Sequence, residues 1–255
     1  MNEIDFIERL LRPLVSDPGA DGLSDDVALL ATSKNPQIIT TDTLVEGRHF
    51  RVGDPWFSVG RKLVRVNVSD CFAKGAAPRH CLFNLTWNPD YPEEDLRALI
   101  SGIAEDLRVY NIRLIGGDTT SNVDPVVLTL TLTGETFDLH GPVRRTGAQP
   151  GHDVWVTGTI GDACLGLEFP DAQDEPGASL NARYLVPGLV QPDFAEIVAR
   201  CALSAMDVSD GLISDAWHIA AASAVQLILD VEQVPMSDES RAVLQADGSP
   251  FAIRD

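Results

Sequence analysis

Lysine is all but missing from this sequence: Lys34, Lys62 and Lys74 are the only three in 255 residues. Acids outnumber bases by 38 to 19, giving a net charge of −19 and a pI near 4.4. A nucleic-acid binder normally shows a basic face, and this balance argues against one. Cysteine is also scarce. The four, at 71, 81, 164 and 201, include no C-x-x-C pair, and the chain is too large to need disulfide stapling, so a reduced, cytoplasmic location is expected. No apolar run approaches membrane-span length. The start, MNEIDFIERLLRPL, is acidic and amphipathic and lacks the basic n-region of a signal peptide. Several catalytic signatures are absent too. There is no G-x-x-x-x-G-K-[ST], no G-x-G-x-x-G with H-R-D, and no H-E-x-x-H among five scattered histidines. These gaps exclude P-loop proteins, protein kinases and the common zinc hydrolases.

What is present is enough apolar residue, 44%, to bury a sizeable core. Helices are expected at 4–14, 55–75, 92–110, 161–169, 193–203 and 211–223. Strands are expected in VALLA, QIITTD, HCLFNLTWN, IRLIGGD (running into a glycine turn), PVVLTLTLTGE, DVWVTGT and VQLILDV. Residues 170–179 read as a loop. The proline- and glycine-bearing stretch 141–153 marks a boundary between a domain at 1–142 and one at 150–255. Strands and helices alternate in both halves, so the class is mixed α/β or α+β.

Aspartate recurs at strand ends and in breaker-rich turns: Asp25–Asp26, Asp42, Asp70, Asp118, Asp207 and Asp210. Taken singly, each also reads as a turn or cap residue. Asp70 resists that reading, because an ionised group on an apolar helix face is costly unless it is paired or metal-bound. Thr40 and Thr41 immediately precede Asp42, and hard oxygen donors of this kind suit Mg²⁺. An anionic ligand on so acidic a chain would need such cations between it and the carboxylates. Glycoside hydrolysis would need only two carboxylates and would leave the glycines and threonines unexplained.

The strings TTDTLVEGRHF (40–50), GRKLVRVNVSD (60–70), LIGGDTT (114–120), VTGTIGDACLGL (156–167) and MDVSDGLISD (206–215) resemble thiamine-monophosphate kinase. That family belongs to the superfamily of aminoimidazole ribonucleotide synthetase and selenophosphate synthetase. The resemblance implies a two-domain α+β subunit. The N-terminal domain would bind ATP and pair with its copy in a homodimer, with ATP in a cleft shared with the partner. It implies direct transfer of the γ-phosphoryl group of ATP to thiamine monophosphate. It also implies Mg²⁺ ligands at Asp26, Thr40, Thr41, Asp42, Asp70, Asp118, Asp207 and Asp210, ATP contacts at Gly117, Asp118, Arg145 and Ser209, and a substrate contact at His49. Without the resemblance, His49 is an ordinary loop histidine; Arg145 reads equally as a planar donor to a phosphate or as half of a solvated pair with Arg144; and Lys62 reads as an exposed helix lysine, with a phosphate contact as the alternative. No general base stands out. Another ATP-using enzyme of the superfamily, or an inactive nucleotide-binding relative, is the alternative. Two departures stand against the family pattern. Ser24-Asp25-Asp26 replaces Gly-Asp-Asp. The sequence also ends at GSPFAIRD, where family members continue into a Gly-Gly-[Asp/Glu]-Asp-Tyr-Glu-Leu stretch, so a chain truncated at its C-terminus is expected.

Overall fold

The computed structural model describes residues 3–24, 27–170 and 172–246. In chain order the elements are α1 (Glu3–Phe6), β1 (Gln37–Val45), α2 (Trp56–Ala73), β2 (Ala76–Trp87), α3 (Glu93–Val109), β3 (Arg113–Ser121), β4 (Val127–Thr136), α4 (Asp162–Gly166), α5 (Gly177–Leu185), α6 (Phe194–Cys201), α7 (Leu212–Ser223) and α8 (Asp238–Gln245). They form two compact units. One is Met1–Val143 with Gln191–Ala202, and the other is Arg144–Val190 with Leu203–Asp255. No helix among the described residues is long and apolar enough to cross a membrane.

The first unit is a four-stranded sheet, order β1-β4-β2-β3, with helices on one face. β1 and β4 pair antiparallel, as do β4 and β2, while β2 and β3 run parallel. The alternation in β4 sets the two faces. Leu128, Leu130 and Leu132 are fully buried, while the threonines between them face outward. On the covered face α2 packs against α3, whose stripe of Leu96, Leu99, Ile103 and Leu107 is buried. Glu93, Glu94 and Asp95 in the first turn of α3 suit the positive end of its dipole. The two helices touch backbone to backbone because each carries a glycine at the crossing. A Cβ on Gly60 would lie 2.3 Å from the Leu99 carbonyl oxygen, and one on Gly102 would lie 2.0 Å from that of Phe57. α6 packs on α2 and β2, so it completes this unit from far along the chain.

In the second unit Leu165, Leu180 and Val243 form a small apolar core from α4, α5 and α8. Beside it lies a buried carboxylate. Asp162 accepts hydrogen bonds from the hydroxyls of Ser237 (2.6 Å), Ser240 (2.5 Å) and Thr159, and from Arg183 (3.0 Å). Burial works to raise its pKa, but the three hydroxyls and the guanidinium outweigh it and hold the group below the usual carboxylate range. A carboxylate depressed in the folded state stabilises the fold above its unfolded pKa and loses that contribution as pH falls through the folded one. Asp162→Asn is therefore expected to lower the melting temperature at pH 7 and to flatten its decline below about pH 4. An unchanged acid limb would refute the assignment.

Several expected elements differ. VALLA forms no strand. DVWVTGT and VQLILDV form none either, and no strand occurs among the described residues of the second unit. A strand requires a neighbour for its backbone groups; DVWVTGT and VQLILDV pair with no strand among the described residues, and Trp155 is 87% exposed and Ile228 82%. The helix expected at 161–169 is shorter, Asp162–Gly166, and the loop read at 170–179 gives way to α5 from Gly177. IRLIGGD does not end in a turn, because β3 continues through Ser121.

Candidate functional site

β1 carries Thr40 and Asp42 on the helix-covered face. Thr40 donates its hydroxyl to Asp70 Oδ2 on α2, 2.5 Å away. Asp42 is two residues further along the strand and so shares that face. Asp70 thus meets a hydroxyl across the strand–helix junction, which answers the cost of placing a carboxylate there. One turn before it on α2, Asn67 is fully buried. Its amide donates to the Leu63 carbonyl at 3.0 Å, while its Oδ1 has no hydrogen-bond partner. This donor set is all hard oxygen and fits Mg²⁺. No three His, Cys, Asp or Glu side chains cluster closely enough to hold a metal among the described residues. A cation here would therefore take much of its shell from phosphate and water oxygens, as Mg²⁺ commonly does.

The other expected ligands lie elsewhere. Thr41 turns its side chain to the open face of the sheet, where its hydroxyl meets Thr131 at 3.1 Å. Its backbone faces outward. Glu46 N–H bonds Val126 and Thr136 N–H bonds Pro36, so the even residues of β1 are the ones paired to β4. By antiparallel alternation the Thr41 carbonyl points to the outer edge, which has no strand partner among the described residues. Asp118 is opposite Asn84 on β3, again on the open face. Asp42 and Asp118 thus occupy opposite faces and opposite edges, three strand spacings or about 14 Å apart. Gly117 lies opposite Phe83, where a Cβ would sit 1.8 Å from the Phe83 carbonyl oxygen, so only glycine lets β3 come this close. Asp26 lies outside the described residues.

His49 is presented by a tight turn after β1. Its backbone N–H bonds Val45 at 2.9 Å, and its Nδ1 accepts the Val45 N–H at 3.0 Å. With Nδ1 accepting, the neutral ring carries its proton on Nε2. The turn is fixed on either side of exposed His49 by buried Glu46 and Phe50. Glu46 accepts from the Tyr91 hydroxyl at 2.7 Å, and this bond, with burial and nearby carboxylates, pushes the tyrosine up to about 12. Phe50 stacks edge-on against Trp56. Lys62 is not an exposed helix lysine. It is 6% exposed, and burial draws its ammonium down to about 8 despite the Asp54 carboxylate nearby. The helix face it occupies is turned into the unit by α2 packing, which a single-residue reading of GRKLV could not reveal.

In the second unit the segment 144–148 runs beside 203–205. Ala205 N–H bonds the Arg144 carbonyl at 2.9 Å, and the Arg145 carbonyl accepts from Ser204 (2.7 Å) and Ser223 (3.1 Å). This places Arg145 next to the loop bearing Asp207, Ser209 and Asp210. The arginine, Ser209 and Asp210 are exposed.

Comparison with known proteins then decides the lineage. Residues 24–136 match the family described as AIR synthase related protein, N-terminal domain. Over 247 residues the chain is 38% identical to the thiamine-monophosphate kinase of Caulobacter vibrioides, covering 95% of this chain and 69% of that protein. This chain belongs to the thiamine-monophosphate kinase family. The crystal structure of thiamine-monophosphate kinase from Stenotrophomonas maltophilia superposes with a TM-score of 0.83 at 34% identity, covering 97% of this chain and 80% of the other. AaThiL complexed with AMPPCP and TMP gives 0.77 at 30% identity, covering 93% and 74%. The mixed α+β fold is thus that of thiamine-monophosphate kinases.

Proposed function

We propose that this protein transfers the γ-phosphoryl group of ATP directly to the phosphate of thiamine monophosphate, yielding thiamine diphosphate and ADP. The observation that carries this reading is the pairing of Thr40 with Asp70 beside Asp42, in a chain 38% identical to a thiamine-monophosphate kinase. A neighbouring structure, AaThiL, is a complex with AMPPCP and TMP, which supports both ligand classes. Thr40, Asp42 and Asp70 would hold Mg²⁺ in the first unit, with Thr41, Asp118 and Asp26 as further oxygen donors and Asp207 and Asp210 in the second. Bound Mg²⁺ supplies charge neutralisation on the phosphates. Arg145 offers a planar guanidinium to a phosphate, and Ser209 lies on the adjacent loop. Gly117 and Asp118 contact ATP from β3. His49 donates Nε2–H to the thiamine substrate. The attacking oxygen belongs to a phosphate that is already anionic, so positioning and charge balance suffice and no general base is required.

Residues 1–142, to which 191–202 return, are read as the metal-binding and dimer-forming domain, and the remainder of 150–255 as the second domain. The separation of Asp42 from Asp118 within one chain supports a homodimer in which each site draws on both copies. The open sheet face supplies a surface for it. It is lined by Thr41, Thr43, Thr129 and Thr131 in hydroxyl pairs of 3.1 and 2.8 Å, with Ile39 72% exposed. The exposed free thiols of Cys164 and Cys201 suit a reducing compartment such as the cytoplasm.

The test is an assay with ATP, Mg²⁺ and thiamine monophosphate, followed by mixing two inactive variants. Asp42→Asn and Asp118→Asn are each expected to be inactive alone. After subunit exchange, about a quarter of wild-type sites should return, because half the dimers are mixed and each has one intact site. A mixture that exchanges subunits yet stays inactive would refute the shared site. Failure of the wild-type protein to form thiamine diphosphate would refute the acceptor. His49→Ala is expected to raise KM for thiamine monophosphate about tenfold, the worth of one hydrogen bond, with KM for ATP unchanged. Equal changes in both would argue against the substrate contact.

A further inference from the structure

Asp215 sits in the first turn of α7 and is 2% exposed. Its Oδ2 accepts two backbone hydrogen bonds, from Ser209 N–H at 2.9 Å and Asp210 N–H at 3.1 Å. Its own N–H donates to the Gly211 carbonyl at 3.0 Å. The carboxylate therefore reaches back five and six residues and folds the loop onto the helix that follows it. A buried carboxylate is tolerated when hydrogen-bonded in this way. Two consecutive amides turned inward to one oxygen constrain the backbone at 209–210, and both of those residues are exposed. The other end of α7 acts on the neighbouring segment. Ser223 donates to the Arg145 carbonyl at 3.1 Å and accepts from Ala148 N–H at 3.2 Å. One helix thus ties both the loop carrying Ser209 and Asp210 and the segment carrying Arg145.

We propose that Asp215 is a positioning residue of the nucleotide subsite: its carboxylate sets the loop conformation in which Ser209 and Asp210 meet ATP and its cation. The proposal rests on the reading of Arg145, Ser209 and Asp210 as nucleotide and metal contacts. It separates shape from charge, because an asparagine in the same place can accept the same two N–H groups through its Oδ1.

The experiment compares Asp215→Ala and Asp215→Asn with the wild-type protein. It measures amide hydrogen exchange at Ser209 and Asp210, MgATP affinity by calorimetry, and melting temperature. The alanine variant is expected to exchange those two amides at least about tenfold faster and to bind MgATP about tenfold more weakly, while the asparagine variant stays within about threefold of wild type on both. Unchanged MgATP affinity in the alanine variant, with the loop amides deprotected, would overturn the proposal. So would an equal fall in melting temperature and affinity in both variants, which marks packing alone. A wild-type protein that binds no MgATP would overturn the nucleotide reading itself, and amide exchange would still decide whether Asp215 sets the loop.

Discussion

Asp42→Asn is expected to cut phosphoryl transfer by at least about 10³-fold, because under the proposed site it removes one negative charge from the carboxylates that would hold a cation against the phosphates. Asp42 shares the covered face of β1 with Thr40, whose hydroxyl is already committed to Asp70 at 2.5 Å. The hydroxyl therefore cannot readily replace the lost carboxylate. The substitution is isosteric and Asp42 is half-exposed, so the melting temperature without magnesium should change little. The wild-type protein should gain more stability than the variant from Mg²⁺ with nucleotide, by mass action on the folded state. The decisive measurement is the rate across a magnesium titration. Activity within tenfold of wild type at saturating magnesium would remove Asp42 from the site.

Asp106→Ala should destabilise the fold by about 3–5 kcal/mol, as expected when one member of a buried ion cluster is deleted. Asp106 has no exposed side-chain surface. It receives Arg61 at 3.0 Å and Arg65 at 2.7 Å from the facing helix, and those side chains are only 25% and 14% exposed. Each arginine also lies over a ring, Arg61 over Phe57 at 5.9 Å and Arg65 over Tyr110 at 5.8 Å. Neither can swing into water without leaving its packing, so the deletion strands two positive charges at the α2–α3 contact. Urea unfolding measures this directly. A loss below about 1 kcal/mol would show that the cluster relaxes into solvent and contributes no more than a surface pair.

The first unit was legible because its periods are clean. Alternation in VVLTLTLTGE and the apolar stripe of α3 specify a strand and a helix with little competition, and β4 and α3 formed close to where the pattern put them. The second unit was less so. DVWVTGT and VQLILDV have strand composition, but composition cannot supply the neighbouring strand that a ladder requires. Glycines misled for a related reason. In LIGGD the pair reads as a turn, whereas Gly117 serves close approach of β3 to the Phe83 backbone. Among site residues, the contact of Thr40 with Asp70 could be suspected from residue type, but not the placement of Asp118 on the opposite face. That depends on strand order and on the bulge between Cys81 and Leu82. Asp106, Asp162 and Asp215 were missed as a group. Each is a buried acid whose purpose is visible only through its partners, and Asp106 and Asp215 look from sequence like solvated positions on a helix.

The first unit closes only when residues Gln191–Ala202 return to it. During synthesis, its sheet and its first two long helices emerge well before α6, which must cover part of α2 and β2. At ordinary elongation rates the roughly 60 residues between 143 and 202 take roughly 3–12 s to add. Through that interval the nascent first unit carries an uncovered seam, while the chain that will form much of the second unit is being added to it. A stop or cleavage anywhere in 144–190 leaves the first unit without its last helix, so the two units cannot be separated by a single cut.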